Sequence, residues 1–124
     1  MITINNKNIN ACGTSLIGYL NMTYDEIVFI FGNPIRLKGG DNKVEWEWVF
    51  KLNDTVLTIY NWKNGPSYTG KRTIKARDIK DWHVGGRHTY DLKILKDYIC
   101  SKNEIFTKRY PLVMHGRLGL GVII

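Results

Sequence analysis

At 124 residues, with 44% hydrophobic and 23% charged side chains, the chain has the make-up of one globular domain, long enough to build a core without metals or disulfides. Eighteen Lys and Arg against 11 Asp and Glu give a formal net charge of +7, which favours phosphate-bearing or polyanionic partners. The longest apolar run, Ile27 to Phe31, is far short of the ~20 residues that cross a bilayer, and Met1 to Asn10 lacks the basic-then-apolar form of a secretory leader.

In chain order, residues 1–12 read as an N-terminal segment without a strong signal. Thr23 and Glu26 have the form of a capping box ahead of an apolar run, which predicts a short helix from Tyr24 to Phe31 with Ile27, Ile30 and Phe31 on the core face. Gly32 and Pro34 stop it. Val44, Trp46, Trp48, Phe50 and Leu52 alternate with Glu45, Glu47 and Lys51, the period of a half-buried strand. On this reading the tryptophans are core and Glu45 and Glu47 lie on a solvated face. Asn53-Asp54 is a turn signal, and Thr55 to Trp62 is the return strand, apolar on both faces, with Tyr60 in the core.

Lys63 to Lys80 is a polar loop holding Lys63, Lys71, Arg72, Lys75, Arg77 and Lys80 against the single acid Asp78. Ile79 to Val84 reads as a short strand that ends at Gly85-Gly86. Thr89 is a plausible N-cap for a second helix carrying Leu92, Leu95 and Ile99 at helical spacing. In the tail, 102–124, Ile105-Phe106 and Leu118 to Ile124 read as edge or oligomer-pairing segments. Cys12 and Cys100 stand far apart without CxxC spacing, which predicts buried free thiols and no zinc site.

The sequence lacks a Gly-x-Ser-x-Gly elbow, a phosphate loop and a dinucleotide fingerprint. Asp81 and His83 share a strand face at i, i+2, so Asp81 could orient His83 as a general base; the blander reading is a strand end that binds a phosphate. Nucleotide binding has more ingredients. Trp82-His83-Val84-Gly85-Gly86-Arg87-His88 offers a ring, two imidazoles, a glycine turn and a guanidinium, and bases recognised outside a duplex are held by stacking. Trp82 serves there as the stacking platform, with His83, Arg87 and the tail's Arg109 as phosphate or ribose donors. Asn61, Lys63 and Tyr68 form the opposite wall, from the end of the return strand. The competing view is that Trp82 is core and the glycines only turn the chain. The second helix mixes Lys93 and Lys96 with Asp91 and Asp97, so a double-stranded DNA reader is disfavoured.

The order Phe31-Gly32-Asn33-Pro34, Val44-Glu45-Trp46, Thr58-Ile59-Tyr60-Asn61-Trp62-Lys63 and Trp82-His83-Val84-Gly85-Gly86 resembles a group of small bacteriophage proteins with FGxP, VEW, TIYxxK and WHxGG patterns. Within that group the chain looks most like the first family of Thoeris anti-defence proteins, over about residues 13 to 100. The tail after Cys100 departs from the shorter relatives.

What the resemblance implies is a phage- or prophage-encoded sponge in the host cytoplasm. Such a protein sequesters a cyclic ADP-ribose isomer without cleaving it, needs no cofactor, and assembles as a homodimer or larger homo-oligomer. Some members also hold cyclic oligonucleotides. Two rivals stay open: a phage interaction module docking a protein through aromatic side chains, and a nucleotide-cleaving enzyme using His83 with Asp81. The expected fold is α+β, a single ligand-binding domain over 1–124, with an antiparallel sheet of about four to six strands, two helices and no membrane contact.

Overall fold

The computed structural model describes residues 2–4, 8–37, 40–109 and 122–123, with side chains over 8–37 and 40–102. Its centre is the expected hairpin. Strand β4 (Trp46–Leu52) pairs with β5 (Thr55–Tyr60) in register from Glu47↔Tyr60 to Leu52↔Thr55. The turn places Asn53 at φ 54°, a left-handed conformation that Asn tolerates better than most residues. β5 pairs on its other side with β6 (Trp82–Gly86), which pairs with β2 (Ser15–Leu20). β1 (Ile2–Ile4) and the two-residue β3 (Ile35–Arg36) both pair with β4, and β7 (Val122–Ile123) closes the far edge against β2. Every pairing is antiparallel, so the architecture is α+β with five strands of three residues or more.

One layer of helix covers one face. Helix α1 (Tyr24–Phe31) starts at the expected capping box: the Glu26 amide donates to Thr23 Oγ1 at 3.2 Å, and the Thr23 amide donates to Glu26 Oε1 at 2.9 Å. Two tryptophans tie its ends to the sheet. Trp48 Nε1 donates to the Gly32 carbonyl at 2.8 Å, and Trp82 Nε1 to the Met22 carbonyl at 3.0 Å. The rings of Trp48 and Trp82 meet edge to face at 5.2 Å, and Phe31 stacks on Phe50 at 4.5 Å. Each indole thus buries its ring and satisfies its one donor.

The second long helix, α3 (Asp91–Arg109), adds Leu92, Leu95 and Ile99 to the same core. It runs well past Cys100, so Ile105-Phe106 belong to a helix and not to an edge segment. Of the segment Leu118 to Ile124, Val122–Ile123 pair with β2 of the same chain, and 118–121 and Ile124 lie outside the described residues. Between β5 and β6 the polar stretch contains the single-turn α2 (Pro66–Thr69) and a 3₁₀ turn at Ala76–Asp78.

Several expectations are corrected. β2 and β3 carry no assignment in the sequence reading, yet β2 lies inside the sheet. β6 ends in the two glycines and includes them, but it begins at Trp82, so Ile79 to Asp81 precede the strand and Asp81 does not share a strand face with His83. A Cβ at Gly85 would collide with Thr58 Oγ1, and one at Gly86 would lie 2.6 Å from Ile17 Cδ1. The glycines therefore permit close packing between strands, and they do not form an anion-binding turn before a helix. Both cysteines are free and exposed, not buried.

Candidate functional site

The face of the sheet opposite the helices carries a row of residues in register across six strands: Ile35, Glu47, Tyr60, His83, Tyr19 and Ile123. Strand alternation puts the side chains of Ile35, Glu47, Tyr60, His83 and Tyr19 on one side and those of Trp46, Ile59, Trp82 and Leu20 on the other. At the middle of the row is an aromatic cluster around His83. Its imidazole lies 4.9 Å from Tyr19 and 5.6 Å from Tyr60, both edge on, and 6.0 Å from Trp62 with the planes only 24° apart. Tyr19 and Trp62 remain 38% and 39% exposed, so the cluster is a surface and not a second core. Gly85 helps to shape it, because Tyr60 Cε1 passes 3.5 Å from where a side chain would begin.

Charge surrounds these rings. Lys43 Nζ and Lys63 Nζ stand 5.9 and 5.7 Å from the Trp62 ring centroid, within cation–π range. The Lys63 amide donates to the Lys43 carbonyl at 2.8 Å, which holds the two lysines near one indole. Burial holds His83 below its ordinary imidazole value, and nearby Asp81 pulls the other way without overcoming it. Burial also raises the Glu47 carboxyl, and it raises Tyr60, with help from Glu47 and Tyr19. The surface thus combines aromatic rings, the half-buried Glu47 carboxyl and two lysines, of which Lys43 also lies 3.6 Å from Asp41 Oδ2.

The opposite end of this face is covered. Arg87 donates through Nη2 to the Asn10 carbonyl at 2.6 Å and through Nε to the Cys12 carbonyl at 3.1 Å, and so pins the N-terminal segment. A cavity of about 450 Å³ lies there, lined by Asn10, Lys51, Asp54, Val56 and Arg87 among others.

Of the residues expected to hold a ligand, His83 and Lys63 come together, joined by Trp62. The others do not join them. Trp82 is fully buried beneath α1, so it cannot be a stacking platform. It directly precedes His83 on a strand, and neighbours on a strand face opposite sides. Asn61 is also fully buried, and its Oδ1 accepts from the amides of Glu45 and Trp46 at 2.8 and 2.9 Å, joining chain segments inside the fold. Arg87 commits Nε and Nη2 to backbone carbonyls at the other end of the face. It follows His83 by four residues, roughly 13 Å at ~3.3 Å per strand residue. Tyr68 is exposed on α2, outside the cluster. Arg109 is the last residue of α3 and does not sit in a tail; its side chain lies outside the described residues.

Two further expectations shift. Tyr60 belongs to the open face, not the core. Glu45 is buried and not solvated: its Oε2 accepts from Arg36 Nη2 at 2.8 Å, and its Oε1 accepts from the Ser67 amide at 3.0 Å. Burial alone would raise its carboxyl, but the Ser67 bonds and the Arg36 guanidinium outweigh it and hold the group below its ordinary value.

Sequence reasoning did not place Tyr19 and Tyr60 beside His83 on the open face. The signal for Tyr19 was present in Ser15-Leu16-Ile17-Gly18-Tyr19-Leu20, a short apolar run with an aromatic. Among the described residues no hydrogen bond joins His83 to Asp81, and the imidazole packs among rings. No family model matches the chain, and no curated protein or solved structure does.

Proposed function

We propose that this protein is a non-catalytic binder of a nucleotide-derived signal, with the open aromatic face as its site. The observation that carries this reading is the His83 cluster, in which a half-exposed indole lies nearly parallel to an imidazole and within cation–π distance of two lysines. A purine stacks on such a ring, and the flanking ammonium groups meet the phosphates it carries. Taken with the resemblance to Thoeris anti-defence proteins, the ligand is a cyclic ADP-ribose isomer, bound reversibly and withheld from its receptor by a phage-encoded homo-oligomer. Among the described residues no helix is long and apolar enough to cross a membrane, which is in keeping with that setting.

Incubation with the cyclic ADP-ribose isomer, followed by filtration and heating, tests the reading. A sponge depletes the filtrate and returns the ligand intact on heating. A cleaved product would favour the enzyme using His83, and no depletion would favour a protein-docking module. Light scattering tests the assembly: a mass at twice the 14.4 kDa chain or above is expected.

A further inference from the structure

The basic stretch between β5 and β6 contributes only Lys63 to the aromatic face. Two of its other cations, Arg72 and Lys75, border a second place in the fold. A cleft of about 630 Å³ opens between the β3–β4 edge and the segment 66–76, lined by Arg36, Trp46, Ser67, Arg72 and Lys75 among others. Arg36 and Trp46 are partners in the β3–β4 register, whereas Ile35 and Glu47 form the next pair and face the opposite side. The cleft and the His83 row therefore lie on opposite faces of the sheet.

The Arg36 guanidinium is held in place from below. Glu45, with its side chain 1% exposed, accepts from Arg36 Nη2 at 2.8 Å and from the Ser67 amide at 3.0 Å. A carboxylate this buried is costly unless its oxygens are fully engaged, and here both are. The guanidinium carbon stands 5.6 Å from the Trp46 ring centroid. One nitrogen of the fork is thus committed to Glu45, and among the described residues Arg36 has no other acceptor. Arg72 and Lys75 also border the cleft, and among the described residues neither has a carboxylate within ion-pair distance. Three cations line one recess; the Glu45 carboxylate beside Arg36 is already bonded twice, and the Asp78 carboxylate accepts from the Lys75 backbone amide at 2.8 Å. An anion with several acceptor oxygens resolves that imbalance, and guanidinium forks suit phosphate best.

We infer that this cleft is a binding site for a small phosphorylated molecule. Arg36 is its oriented fork, Arg72 and Lys75 its additional cations, and Trp46 a flat wall beside the phosphate. The volume fits a mononucleotide or sugar phosphate and not a duplex.

The test is a titration of the ¹⁵N-labelled protein with inorganic pyrophosphate at constant ionic strength. Saturable shifts are expected at the Ser67, Arg72 and Lys75 amides and at Arg36 Nε, with none at His83. The Arg72→Ala/Lys75→Ala double variant, both side chains being exposed, should keep its melting temperature and bind roughly tenfold or more weakly. Arg36→Lys, which keeps the charge and loses the fork, should also bind more weakly, whereas Trp62→Ala should bind pyrophosphate as wild type does. Non-saturating shifts spread over the surface lysines, or wild-type affinity in the double variant, would overturn the inference. Neither result bears on the aromatic face, which Trp62→Ala probes separately.

Discussion

His83 and Tyr19 meet edge to face across the β2–β6 pair, ring centroids 4.9 Å apart and planes at 90°. The contact sits on the face without helices, and burial among the rings holds the imidazole below 6.5. The folded state therefore binds the His83 proton less readily than the unfolded state does. The stability this contributes is fully present above about pH 6.5 and is lost as pH falls through the folded value. The His83 ring protons, followed by NMR, should titrate with a midpoint below 6.5. The loss of melting temperature between pH 7 and pH 5 should shrink in His83→Gln. A midpoint above 6.5 would contradict the account.

Trp62 and Trp82 should separate binding from folding. Trp82→Ala removes a fully buried indole and its bond to Met22, and should cost ~3–5 kcal/mol of stability in urea denaturation. Trp62→Ala removes a half-exposed ring and should leave stability within about 1 kcal/mol. It should nevertheless lose ~1–3 kcal/mol of stacking energy toward a purine ligand in calorimetry. Equal effects of the two variants on both quantities would refute the division of faces.

That division also shows what was legible in the chain. Helix α1, the β4–β5 hairpin and the core stripe of α3 follow from local signals: the Thr23–Glu26 box, the alternation around Trp46 and Trp48, and the spacing of Leu92, Leu95 and Ile99. Local pattern could not say which of Trp82 and His83 faces the helices. Their alternation does show that they cannot share one wall. The row from Ile35 to Ile123 draws on residues up to 104 positions apart and exists only once five strand registers are set. Gly85 and Gly86 read locally as a turn, but their reason is across the strand, in Thr58 and Ile17.

Gly85 makes that last point testable. Gly85→Ala drives a methyl into Thr58 Oγ1 and should destabilise the protein by ~1–3 kcal/mol. Thr58→Ala in the same chain removes the obstacle, so the double variant should recover part of the loss in a denaturation cycle. Additive losses would mean that the two residues do not compete for the same space.

Asn61 should behave as a structural residue. Asn61→Ala leaves the buried amides of Glu45 and Trp46 without their acceptor, at ~1–3 kcal/mol for each unsatisfied group. Thermal melting should fall markedly, while ligand affinity of the folded fraction holds. A stable variant with weakened binding would return Asn61 to the ligand.

The most direct test of the open face as the binding site is a ¹H–¹⁵N and aromatic NMR titration with the cyclic ADP-ribose isomer. The account predicts saturable shifts concentrated at Tyr19, Tyr60, Trp62 Nε1 and His83, with Trp82 Nε1 unmoved. Shifts confined to other surfaces, or no saturable shift at all, would contradict it.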